Sequence, residues 1–215
     1  MKLQAFYTTR FWDPVAFGIR SATAGAYSHV GPLFTASPEE LQRFAYMLPA
    51  GFTESLPAWP NHRHRIYFES IGVRDKRTGK TGARGPYDFE RVVRWAQVAP
   101  RRRALLIQDL PHMDTAETEN AFKQCIWAVR EIRYAHLQIA RNWLGLRLGR
   151  GIPLRRRSPG RWTCVEMLVR ILPPRIAVPV LRLGDILYDE YCPSGMRGPG
   201  VWEMFECSQL KGQTA

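Results

Sequence analysis

Cysteine is scarce in this sequence, and the four that occur are far apart. They are Cys125, Cys164, Cys192 and Cys207 in a chain of 215 residues. None belongs to a C-x-x-C pair, and no histidine is spaced with them as in a zinc ligand set, which argues against a zinc knuckle and against a small disulfide scaffold. We therefore expect reduced thiols, no metal and no other cofactor.

Long hydrophobic runs and phosphate-binding glycine loops are also missing. The first ten residues, MKLQAFYTTR, lack the apolar core of about 7 to 15 residues that a signal peptide needs. No other apolar run approaches the roughly 20 residues of a membrane-spanning helix. Residues 79–81 (GKT) are not a P-loop, because Arg74 stands where the earlier glycine is required. We expect a protein that is synthesised in the cytoplasm and has no transmembrane segment.

Acidic residues are outnumbered by basic ones. The chain has 19 Asp and Glu against 31 Lys and Arg, a formal net charge of +12. Such a surface attracts polyanions, among them nucleic acid, anionic lipid head groups and acidic cell-wall polymers. The arginine triplets 101–103 and 155–157 are ordinarily solvated surface, so we do not expect specific nucleic-acid binding. A basic binding or structural module without catalysis remains an alternative.

The hydrophobic content of 45% supports one domain, which we place at residues 1–207 with a polar tail at 208–215. Alternating and helical patterns predict an α+β fold. The predicted strands are residues 3–9, 27–34, 65–70 and 104–108, with a late turn and strand at 183–188. The predicted helices are 38–48, 88–97, 115 to about 145, and one that begins at 163–166. Residues 72–85 and 147–161 are predicted loops, and Pro32 is predicted to interrupt its strand.

One cysteine stands where a helix is predicted to begin. Residues 163–166 (TCVE) have the form of a capping box, which makes Thr163 the N-cap and Cys164 the first helical residue. Free N–H groups and the helix dipole at that position lower a thiol pKa from about 8.5 towards neutrality and can bind an oxyanion. The nearby Arg161 would strengthen both effects. The alternative is a small buried hydrophobic residue.

A thiolate nucleophile needs a histidine, and that histidine needs an acceptor on its other ring nitrogen. His29 is the best candidate because it lies in an apolar strand. Glu69 ends another apolar strand and would accept the imidazole N–H if the two strands are neighbours. The alternatives are a structural histidine and a carboxylate exposed at a strand end.

Residues 19–31 (IRSATAGAYSHVG) resemble the "IR … SHVG" signature of the circularly permuted NlpC/P60 families, papain-like proteins of the YiiX and LRAT-like type in which the His precedes the Cys. Three further segments are similar to these families: residues 68–70 (FES) to their acidic strand, residues 162–169 (WTCVEMLV) to their nucleophile helix, and residues 183–188 (LGDILY) to a later segment. The resemblance implies a papain-like α+β fold with a central antiparallel sheet packed against helices.

The resemblance also implies roles for individual residues. Cys164 would be the nucleophile, His29 the general base and Glu69 the group that orients the imidazole. The oxyanion would be held by the main-chain N–H of Cys164, and our own candidate for a second donor is Tyr27, two residues before His29. The function implied is a cysteine amidase or peptidase that cuts bacterial cell-wall (peptidoglycan) peptides and forms a thioester intermediate. The cell wall is polyanionic, so the net positive charge of the protein suits this substrate. Because no signal peptide is predicted, such an enzyme would need another way to reach the wall, for example as part of a phage particle in contact with the particle's proteins. A lipid acyl hydrolase or acyltransferase of LRAT-like type, acting at anionic lipid surfaces, is an alternative.

Overall fold

The computed structural model describes residues 1–10, 29–56, 63–74, 79–98, 102–135, 160–176 and 203–206. The predicted turn and strand at 183–188, most of the basic loop before Gly160, and the tail at 208–215 lie outside these residues.

Within this part of the chain, antiparallel strands form a sheet in the order β4-β3-β2-β1-β5, to which the short β8 adds at the β5 edge. The strands are β1 (Lys2–Arg10), β2 (His29–Ala36), β3 (His64–Ile71), β4 (Gly82–Asp88), β5 (Arg102–Asp109), β6 (Arg133–Tyr134), β7 (Arg161–Trp162) and β8 (Glu203–Glu206). The helices are α1 (Pro38–Gln42), α2 (Phe89–Val98), α3 (Thr115–Glu131) and α4 (Cys164–Ile171), with a 3-10 turn at Ala45–Met47. The predicted α+β class and antiparallel sheet are confirmed.

Apolar side chains alternate along the strands and form a core on each face of the sheet. On one face, Phe34 and Phe68 pack edge-on against Phe122 of α3, with ring centroids 5.0 and 5.6 Å from it. Helix α4 belongs to the same core. On the other face, Phe6 packs edge-on against Phe89 of α2 at 4.7 Å. Helix α4 is therefore held against the sheet by buried apolar surface.

Two predicted helices are longer than the observed ones. The helix predicted at 38–48 ends at Gln42 and is followed by the 3-10 turn, although Leu41, Phe44 and Leu48 are all buried. The helix predicted to reach about residue 145 ends at Glu131. Ile132 has extended backbone angles (φ −94°, ψ 132°), because the chain turns there into β6.

The predicted loop 72–85 is wrong at its end, because β4 begins at Gly82 and pairs with β3. The predicted interruption at Pro32 is wrong too. Strand β2 runs through Pro32, whose Cα partner on β1 is Ala5. On the β3 side the partners begin only at Leu33, as expected next to a residue with no N–H to donate.

Candidate active site

Cys164 is the first residue of α4, as predicted. The Thr163 hydroxyl accepts a hydrogen bond from the main-chain N–H of Glu166 at 3.2 Å, and the Glu166 carboxylate accepts one from the N–H of Thr163 at 2.9 Å. Thr163 and Glu166 are both buried. A fully buried capping box leaves the start of the helix little freedom, so the thiol of Cys164 is held in place.

His29 and Glu69 form a pair across β2 and β3. The distance between His29 Nε2 and Glu69 Oε2 is 3.3 Å, and the two side chains are only 13% and 10% exposed. The expectation that these residues meet if their strands are neighbours is confirmed. Since Nε2 faces the carboxylate, Nδ1 is the ring nitrogen left for another partner.

Cys164 also interacts with the imidazole of His29. Burial by itself lowers the pKa of His29, but hydrogen bonding of the imidazole to the side chains of Cys164 and Glu69, together with their charges, raises it from 6.5 to about 9. The imidazole is therefore protonated at neutral pH and lies between the sulfur of Cys164 and the carboxylate of Glu69. The structure brings together three of the four residues predicted for the site, and the fourth, Tyr27, lies outside the described residues.

A β-bulge sets the direction of Glu69. The register of β3 against β4 shifts between Tyr67, which is opposite Tyr87, and Glu69, which is opposite Arg84. The facing Gly85 has φ +123°, and a Cβ there would lie 2.9 Å from the carbonyl oxygen of Tyr67. Bulges of this kind redirect side chains next to functional sites. Gly85 is not predictable from the sequence, because nothing in the local pattern shows which glycine faces a bulge.

Ser70 ties the start of the nucleophile helix to the strand that carries Glu69. Its hydroxyl donates to the main-chain carbonyl of Trp162 at 3.0 Å, and Ser70 is fully buried. The same carbonyl accepts from the N–H of Ala135 at 3.3 Å. No role is predicted for Ser70 from the sequence, although a serine near the end of a mostly buried strand was a usable signal.

Two more residues next to His29 were also missed. Thr8 is its Cα partner on β1 and is buried. Gly31 lies where β2 passes close to β3, and a Cβ there would come within 2.3 Å of the carbonyl oxygen of Phe68. Only glycine fits at that distance, so Gly31 permits the approach of the two strands that carry His29 and Glu69.

In the part of the chain that the structure describes, no group of three or more His, Cys, Asp and Glu side chains is placed to hold a metal ion. None of the described helices is long and apolar enough to span a membrane.

Comparisons with protein-family models, with curated proteins and with solved structures found no match. The function is therefore argued from the geometry of this site.

Proposed function

We propose that the protein is a cysteine amidase or peptidase of the circularly permuted NlpC/P60, papain-like type. The observation that carries the proposal is the arrangement of His29, which faces the helix N-terminal thiol of Cys164 and the carboxylate of Glu69. The order of these residues, with the histidine on an early strand and the cysteine on a late helix, supports the permuted arrangement.

In the proposed reaction, the Cys164 thiolate attacks an amide carbonyl, and the imidazolium of His29 donates its proton to the leaving amine. This step forms a thioester to the acyl part of the substrate. His29, now neutral, takes a proton from water as the water attacks the thioester, and the C–S bond breaks. This step releases the acid and restores the Cys164 thiolate and the His29 imidazolium. Glu69 keeps the imidazole oriented and stabilises its positive charge.

The start of α4 supplies donors for the oxyanion of both steps. The N–H of Glu166 bonds to the Thr163 hydroxyl, and the N–H of Met167 bonds to the Thr163 carbonyl. Among the hydrogen bonds of the described residues, the N–H groups of Cys164 and Val165 are not used. We assign these two groups to the oxyanion, where the helix dipole adds to their effect.

Peptides of the bacterial cell wall are the proposed substrate. The net charge of +12 favours encounter with an anionic wall polymer. The test is digestion of purified peptidoglycan followed by mass spectrometry of the released peptides. We expect products from the wild type and from Cys125→Ala, and none from Cys164→Ala. Release of fatty acid from phospholipid vesicles, without any product from the wall, would contradict this substrate and support the lipid acyl hydrolase.

The thiol–imidazole pair can be tested without a substrate. Iodoacetamide alkylation is followed against pH for each cysteine by peptide mass spectrometry, in the wild type and in His29→Ala. We expect Cys164 to react quickly below about pH 7 and to react at least tenfold more slowly without His29. Cys125 is the internal control, because burial raises its pKa. If Cys164 is inert in the wild type, or reacts equally without His29, the proposal is wrong.

A further inference from the structure

Two arginines lie side by side just ahead of the nucleophile. Arg133 of β6 and Arg161 of β7 are Cα partners in a parallel pair, and both are exposed. Their neighbours Tyr134 and Trp162 are also partners and are buried. Because side chains alternate along a strand, the two guanidinium groups leave the same face of this pair and point to solvent.

The backbone fixes the spacing of the two arginines. The N–H of Arg133 donates to the carbonyl of Gly160 at 3.0 Å, and the N–H of Ala135 donates to that of Trp162 at 3.3 Å. The Trp162 carbonyl is also the acceptor for Ser70. The pair is therefore anchored to β3, next to Glu69.

Within the described residues, neither guanidinium has a salt bridge or a side-chain hydrogen bond. Glu131, two residues before Arg133, is paired with neither of them among the described residues. Like charges at directly opposite positions of a strand pair destabilise it. An anion placed between them would remove that repulsion and receive two charged donors.

The aromatic residues near this strand pair lie on its opposite face. The ring of Trp162 is 5.3 Å from the guanidinium of Arg170 and 5.8 Å from the ring of Trp127, which is 49% exposed. The face that carries Arg133 and Arg161 is therefore defined by its two guanidinium groups and is separate from this aromatic cluster.

We propose that Arg133 and Arg161 form a binding site for a carboxylate group of the peptide substrate, on the side of the site that leads into Cys164. The inference rests on the proposed function for the identity of the substrate as a peptide. The planar donors of arginine match a carboxylate in the paired geometry that lysine cannot reproduce. The site would select acidic peptides over neutral ones.

The test measures binding of a fluorescein-labelled peptide that carries glutamates and of its glutamine counterpart, by anisotropy, with the full chain as Cys164→Ala to prevent turnover. In that background, Arg133→Gln with Arg161→Gln should weaken binding of the acidic peptide about tenfold and leave the neutral peptide unchanged. Arg133→Lys with Arg161→Lys should bind the acidic peptide more tightly than the double glutamine substitution and less tightly than the protein with both arginines. Arg91→Gln with Lys123→Gln removes the same charge from exposed positions on α2 and α3, and should change binding less than twofold.

The outcomes separate this inference from the proposed function. If Arg133→Gln with Arg161→Gln leaves the affinity for the acidic peptide unchanged, the carboxylate site is wrong, whatever the alkylation of Cys164 shows. Arginine-dependent binding to vesicles with anionic phospholipid, without binding to the acidic peptide, also overturns it and indicates a lipid surface. If Cys164 is inert to alkylation but binding of the acidic peptide depends on the two arginines, the proposed catalysis is wrong and the carboxylate site is supported.

Discussion

The hydroxyl of Ser70 donates a hydrogen bond to the main-chain carbonyl of Trp162 at 3.0 Å. Ser70 directly follows Glu69 on β3, and Trp162 directly precedes Thr163, the N-cap of the helix that begins with Cys164. This bond therefore joins the chain segments that carry the carboxylate and the thiol, which are 92 residues apart at this contact. The relative position of the two groups depends on it.

Ser70→Ala should weaken the site more than it weakens the fold. The Trp162 carbonyl keeps its bond from Ala135, so the loss of stability should be about 1 kcal/mol. The rate of Cys164 alkylation near neutral pH should fall several-fold, because the thiol moves relative to His29. Urea denaturation and alkylation kinetics give the two values.

Ser55→Ala is the matched control for this change. Its hydroxyl donates to the carbonyl of Phe52 at 2.7 Å, in an exposed turn. The same chemical change should leave alkylation of Cys164 unaltered. An equal effect of the two substitutions on alkylation would show that Ser70 does not position the site.

Gly31→Ala should destabilise the protein by about 1–3 kcal/mol, because the new Cβ would lie 2.3 Å from the carbonyl oxygen of Phe68 and force β2 and β3 apart. Thermal unfolding measures the change. Gly160→Ala is the control, since nothing lies within 4 Å of a Cβ at that position. Similar unfolding temperatures for the two variants would contradict the close approach of the strands.

Glu69→Gln should lower the pKa of His29. The Glu69 carboxylate is one of the groups that raise this pKa to about 9, through a hydrogen bond and through its charge, so its removal should move the value towards 6.5. Titration of the imidazole resonances by NMR gives the value, with His29→Ala to assign them. Glu117→Gln removes a carboxylate that pairs with Arg175 and should have no effect. An unchanged His29 titration in Glu69→Gln would exclude Glu69 as its partner.

The contribution of His29 to the stability of the wild type should fall as the pH rises from 6.5 to about 8.5. In this range the folded state keeps the proton of His29, whose pKa is about 9, while the unfolded state loses it near 6.5. At His29 the unfolded state then binds fewer protons than the folded state, so the contribution of this residue to the free energy of unfolding decreases with pH. Urea denaturation at several pH values measures this slope, and His29→Ala should flatten it. A slope that survives in His29→Ala would have to come from other groups.

The sequence by itself determined the local structure and the identity of the candidate groups. The capping residues Ser37, Asp114 and Thr163 mark helix starts, because each offers a side-chain oxygen to the N–H three residues later. The apolar pattern around His29 and Glu69 placed both on buried strands. These signals are local, since each depends on residues a few positions apart, and so they can be read from the chain.

Only the tertiary structure decided which of these groups meet and where the elements end. The long helix stops at Glu131 because the chain after it pairs with β7, a contact that no local pattern records. The bulge opposite Gly85 and the bond from Ser70 to Trp162 likewise join residues far apart in sequence. The protonated state of His29 depends on the simultaneous approach of Cys164 and Glu69 from different elements. Long-range packing creates that approach, and with it the charge of the site.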